Sequence, residues 1–174
     1  MADTPLRLRI SKKLTSILEG VLFSYPYATE QGGPVVDLAM GGRVFRGRVI
    51  FGDSDPLPML SILEAPIPLD QVPSPPDSTA STGRWELLVQ GFVDDDPLNP
   101  TDPAQWLMAQ TKVALATERR KARDFNLFDM GKHVTNMWIG AGICRPPDEI
   151  SAKAYFWLNV TLELVEDLAD PFED

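Results

Sequence analysis

At 174 residues the chain is long enough for one domain with a hydrophobic core and too short for two ordinary ones. Its 44% hydrophobic and 24% charged residues make a composition that folds without metals or disulfides, and its one cysteine, Cys144, excludes an intrachain disulfide and fits a reducing compartment. The formal charge of −9 is uneven: residues 1–52 carry seven Lys/Arg against four Asp/Glu and residues 53–174 nine against twenty-one, so most of the surface repels nucleic acid and meets DNA only locally or in passing.

Thr4-Pro5 opens a first helix, because threonine is a good N-cap and proline at the first helical position lacks only an N–H that would be unpaired there. Ile10, Leu14, Ile17, Leu18, Val21 and Leu22 recur at helical spacing and carry the predicted helix to Ser24, before Pro26. Arg7, Arg9, Lys12 and Lys13 sit in its early turns, at the positive end of the helix dipole. They form either a solvated basic face or a surface for an anionic partner. No uninterrupted apolar stretch follows, so the N-terminal segment reads as neither a signal peptide nor a membrane anchor.

Thr29–Gly42 is Gly-rich and weakly patterned, a loop with a short strand at Val35–Leu38. Val44–Phe51 and Leu57–Glu64 follow as a predicted β-hairpin joined by Gly52-Asp53-Ser54-Asp55-Pro56. Ala65–Gly83 holds Pro66, Pro68, Pro73, Pro75 and Pro76 among serines and threonines, a composition that favours an extended, mobile path. A loop of that length inside a domain is either a partner-binding arm or an idle excursion.

Trp85–Val93 is a strand in length and composition, stopped by Asp94-Asp95-Asp96-Pro97. Asn99-Pro100-Thr101-Asp102-Pro103 signals the start of a second helix, Ala104–Lys121, with Trp106, Leu107, Gln110, Val113, Ala114 and Thr117 on one face. Arg119-Arg120-Lys121 complements its negative dipole end. Arg123–Lys132 is irregular, Val134–Ile143 a strand, and Arg145-Pro146-Pro147-Asp148 a turn. In Lys153–Glu166 the apolar Ala154, Phe156, Leu158, Val160, Leu162 and Leu164 alternate with the other residues, the clearest strand pattern in the chain.

This order predicts an α+β fold, a mostly antiparallel β-sheet with two helices packed on one face. It forms a single domain over residues 1–174, with a Pro-rich loop at 65–83 and an acidic C-terminal tail at 168–174, both expected to become ordered only against a partner. Ile17, Leu18, Trp106 and Leu107 are expected on the inner face of the sheet, against Phe156, Leu158 and Val160.

Little in the residues points to catalysis. His133 is the only histidine, so histidine-based zinc sites and dyads of two histidines are excluded; a Cys–His pair with Cys144 remains arithmetically possible. Asp53/Asp55, Asp94-Asp95-Asp96 and the acidic tail lack the spacing of an EF-hand, Gly131, Gly140 and Gly142 form no phosphate loop, and no GxSxG elbow occurs. The reading is of no enzyme, with no catalytic, cofactor or metal residues assigned. A small cytosolic enzyme of unknown type stays as the competing class, and a single deep polar cleft with perturbed ionisable groups would mark it.

The helix Leu6–Phe23, the strand pair VFRGRVIF and LPMLSILEAP, the strand WELLVQGFV, the helix PTDPAQWLMAQTKVAL and the closing strand AYFWLNVTLELVED together resemble the tail-terminator and minor-tail (tail-completion) families of long-tailed bacteriophages, the group that includes the phage lambda terminator. The likeness is one of element order and strand style over most of the chain. The Pro-rich segment and the acidic tail are longer than the family pattern requires. The resemblance implies a structural virion protein made in the host cytoplasm and placed in the tail or neck. It would form a homo-oligomeric, hexameric ring that stops tail-tube growth and contacts the tube protein and a neck or connector protein, with genomic DNA as passing cargo and no membrane. A head–tail stopper or another neck protein would share the pattern.

Arg43, Arg46 and Arg48 concentrate in the first hairpin strand, with Arg46 and Arg48 two apart and so on one face. They either face solvent or meet acidic groups of a neighbouring subunit, with Glu166 and Asp167 as the candidates, which makes these five residues the candidate subunit interface.

Overall fold

The computed structural model describes residues 4–28, 32–49, 52, 54–66 and 75–172. Among them the fold is α+β, with helices α1 (Leu6–Glu19) and α2 (Asp102–Arg119) and strands β1 (Leu22–Pro26), β2 (Val35–Ala39), β3 (Val44–Arg46), β4 (Met59–Glu64), β5 (Ala80–Val93), β6 (Val134–Ile139), β7 (Ile143–Arg145) and β8 (Ala154–Asp167). The main sheet runs β3-β4-β5-β8-β6, with β7 also on β8; β1 and β2 make a separate antiparallel ribbon. No helix among the described residues is long and apolar enough to cross a membrane.

The backbone of the sheet is the β5–β8 pair, in register from Ala80↔Asp167 to Val93↔Ala154. The expected alternation in β8 holds: Ala154, Phe156, Leu158, Val160, Leu162 and Leu164 are all buried. They meet Trp85, Leu87, Val89 and Val93 of β5, and both helices close over this face. From α1 come Leu6, Ile10, Leu14 and Leu18, every fourth residue and therefore one stripe. Burying each such side chain favours folding by about 1.5–3 kcal/mol.

Several expected boundaries differ, each for a local reason. The first helix stops at Glu19 rather than Ser24, because Gly20 caps it and Val21, Phe23 and Tyr25 then alternate inward as a strand while Leu22 is exposed. The short strand expected at Val35–Leu38 is β2, one residue longer. The expected hairpin of residues 44–51 and 57–64 does not form: β3 ends at Arg46, Gly47 takes φ +67° and turns the chain away, and β4 returns parallel to β3 in the register Val44↔Leu60. Ile50, Phe51 and Asp53 lie outside the described residues.

The Pro-rich loop is shorter than expected, because Ala80–Gly83 belong to β5 and pair with Asp167–Leu164, while the Leu168 N–H donates to the Thr79 carbonyl at 2.9 Å. The segment after β8 is likewise held, at Pro171, whose carbonyl accepts the Leu6 N–H at 2.9 Å. These backbone bonds repay the ordering cost that composition alone left unmatched. Residues 67–74, Glu173 and Asp174, also part of those two expected mobile stretches, lie outside the described residues.

In α2 the buried face is Ala104, Leu107, Met108, Thr111, Leu115 and Glu118, one step round from the stripe expected. Leu107 is in the core as expected, whereas Trp106 is 44% exposed and Val113 60% exposed. Trp106 instead sets its edge against the Tyr25 ring, centroids 6.4 Å apart, so the β1–β2 ribbon decides the roll of the helix. The buried Glu118 accepts the Phe128 N–H at 2.8 Å and pairs with Lys121 at 3.0 Å, which holds Phe128 inside the core at φ +56°. The single strand expected over Val134–Ile143 is broken into β6 and β7 where Gly142 takes φ +74°.

Candidate functional site

Among the described residues no helix covers the second face of the sheet. At one end Met59, Phe92 and Tyr155 form a small buried cluster with Phe45, Leu57 and Trp157 packed around it. Two clefts of about 600 Å³ each lie along this face and share Val49. The first is walled by Leu57, Phe92, Ile150, Tyr155 and Trp157. Its charged groups are paired: Lys153 with Asp94 at 2.6 Å, and Asp55 with Arg48. Burial, then the neighbouring Asp148, raises the Tyr155 phenol, whose hydroxyl donates to Asp148 at 2.9 Å and so stays protonated at neutral pH.

All five candidate interface residues have specific partners within the chain. The Arg43 guanidinium donates to the Leu57 carbonyl at 2.8 Å. Arg46 donates to the Thr15 hydroxyl of α1 at 2.9 Å, on the helix side of the sheet, whereas Arg48 lies over the Phe45 ring at 4.6 Å, on the open side, and pairs with Asp55. Arg46 and Arg48 therefore do not share a face, because Gly47 interrupts the strand between them. Glu166 pairs with Arg7 at 2.8 Å. The Asp167 carboxylate is held below the usual carboxylate range by the Thr79 hydroxyl and the Ala169 N–H.

Cys144 and His133 are not brought together. Cys144 lies opposite Phe156 and touches the Met108 sulfur at 4.0 Å, while the His133 ring meets the Val165 carbonyl at 3.2 Å. Nine residues of β8 separate those two places, roughly 30 Å of strand. Burial pushes the Cys144 thiol up to about 11, so little nucleophilic thiolate exists at neutral pH.

The aspartate triplet divides its labour. Asp94 is exposed and pairs with Lys153, Asp95 is exposed, and Asp96 is buried where the chain leaves β5 for α2. Asp96 accepts N–H groups from Ala28 (2.6 Å), Leu98 (2.9 Å) and Asn99 (2.9 Å), and the Tyr25 hydroxyl at 3.4 Å. The Ala28 N–H foremost, then those of Asn99 and Leu98, keep its pKa below the ordinary aspartate value. A depressed carboxylate stabilises the fold above its unfolded pKa of roughly 4 and loses that contribution as pH falls through its folded value. Thermal midpoints of wild type and Asp96→Asn are accordingly expected to differ most at neutral pH and to converge as pH drops through that window. A constant difference across pH would assign the role to shape alone. Among the described residues, no group of three or more His, Cys, Asp and Glu side chains is placed to hold a metal ion.

One feature goes beyond the helix-end charge that the sequence pattern marked. Arg119, Arg120 and Arg123 surround an open cleft of about 520 Å³ with Thr135 and Asn136 of β6. Among the described residues only their neighbour Lys121 is engaged, with Glu118 and with Asp129 at 3.5 Å. The signal was present as a run of basic residues, but the helix dipole accounted for it without asking where the side chains go.

The main sheet also ends in two unlike edges among the described residues, the short parallel β3 on one side and β6 with β7 on the other. Around the second edge Trp138 and Ile143 are exposed, and Arg84 lies over the Trp138 ring at 5.3 Å. No protein-family model matches the chain, and no curated protein matches it in sequence.

Proposed function

We propose that this chain is a ring-forming assembly subunit of a tailed bacteriophage, a tail terminator that stops growth of the tail tube and joins the tail to the neck. The observation that carries the reading is the pair of unlike sheet edges, β3 against β6 and β7, on a sheet covered by helices on one face only. Unlike edges favour head-to-tail association, in which each subunit gives one surface and receives another, and such contacts close into rings when the rotation from copy to copy closes. The resemblance in element order supplies the identity of the ring. A net charge of −9 suits a channel through which a polyanion passes without adhering.

Co-expression with the tube protein of the same phage tests this. Tubes of uniform length, each capped at one end by a ring seen in negative stain, are the expected result. A chain that stays monomeric and leaves tube length uncontrolled overturns the reading.

A further inference from the structure

Arg119, Arg120 and Arg123 are exposed at the turn that ends α2, and none of their side chains makes a hydrogen bond or ion pair with another described residue. Three open guanidiniums around one cleft are conspicuous in a protein of net charge −9. The helix dipole explains positive charge here, and Lys121 already provides it with a partner. It does not explain the neighbour: Phe125 is 71% exposed and held at φ +50°, a conformation a phenylalanine disfavours. A basic cleft beside a presented aromatic ring fits an acidic segment that carries apolar side chains.

The chain has such a segment. After β8, Leu168 is 59% and Phe172 45% exposed, with the carboxylate of Asp170 between them. The segment is pinned to its own subunit through Thr79 and Pro171, so it is presented in one shape and loses little entropy on docking.

We infer that the segment Leu168–Phe172 of one copy docks in the Arg119–Arg123 cleft of the next, with Asp170 paired to the arginines and its apolar side chains against Phe125. The inference rests on the assembly reading and names the contact that joins the ring. It unites two different patches, so every copy gives one and receives one. Arg48 and Glu166, by contrast, would have to leave partners in their own chain before serving a neighbour. Nucleic acid suits the cleft less, since three local charges act against the repulsion of the whole subunit.

Sedimentation velocity over a range of protein and salt concentrations tests the contact. Arg119→Asp/Arg123→Asp and, separately, Asp170→Arg are expected to weaken self-association at least tenfold, and a chain carrying all three changes to recover much of it. Arg119→Gln/Arg123→Gln, which places no negative charge at the helix end, should weaken association as well while keeping the circular dichroism and thermal midpoint of wild type. If wild type assembles and all variants assemble equally, the docking is overturned and the ring stands. If wild type stays monomeric with and without tube protein, both fall. Variants that assemble normally but lose binding to a labelled single-stranded oligonucleotide that wild type binds would make the cleft a polyanion site and likewise overturn the docking.

Discussion

Leu158→Ala is expected to lower the free energy of unfolding by about 2–5 kcal/mol, measured by urea titration with an unchanged slope. Leu158 is fully buried near the middle of β8, opposite Val89 of β5, and stands between the sheet and the helices. Removing its branched end deletes contacts on all sides, and the flanking Phe156 and Val160, fixed by ladder bonds, cannot move in to fill the space. A change within error would mean that the inner and outer faces of β8 are reversed. The same variant separates stability from assembly, because the side chain it shortens is fully buried: rings that form at low temperature should retain their stoichiometry.

Gly91→Ala is expected to cost about 1–3 kcal/mol or more, although it adds a single methyl group. Gly91 faces Phe156 across the β5–β8 pair, and a Cβ there would lie 2.1 Å from the ring of Phe156. The ring is fully buried, so it has no solvent to swing into. The glycine is present because the aromatic ring lies over its bare backbone, with no positive φ involved. Phe156→Leu in the Gly91→Ala background should recover part of the loss, a coupling readable in a double-mutant cycle. Strict additivity of the two changes would show that the ring does not occupy the space above Gly91.

Both variants leave charge untouched, whereas the acid side of the stability profile belongs to aspartates that bind turns. Asp96, Asp148 and Asp167 each accept backbone N–H groups, and Asp129 receives Lys13 and Lys121. All four are held below the ordinary aspartate value, so their protonation acts in one direction as pH falls.

The parts legible in the sequence were those whose information is local. Strand β8 is legible because a period of two is a property of the chain itself, and its apolar half is the face that became buried. The start of α2 is legible from its prolines and aspartate, as is the stop after β5 from three aspartates. The α+β class follows from the order of such elements, whereas the separation of His133 from Cys144 is a matter of where β8 places them.

Tertiary structure decided whatever depended on which neighbour an element met. Val21 and Leu22 fit a helix by spacing, yet Gly20 ends it and the partner strand β2 turns the next residues into β1. Trp106 and Val113 fit a buried stripe, yet the Tyr25 ring rolls α2 so that they face outward. Arg46 and Arg48 share a face only if the strand runs on, and one positive φ at Gly47 sends them to opposite sides of the sheet. Ala80–Gly83 and Leu168–Phe172 have the composition of mobile chain, yet the first pairs with Leu164–Asp167 of β8 and the second bonds Thr79 and Leu6 of α1, partners that composition cannot reveal. Charge is the plainest case. The sequence by itself determined how much charge the chain carries; the fold alone decided that Arg48 and Glu166 are paired within the subunit while Arg119, Arg120 and Arg123 surround an open cleft, because pairing requires proximity in space, and spacing along a chain predicts proximity only within an element.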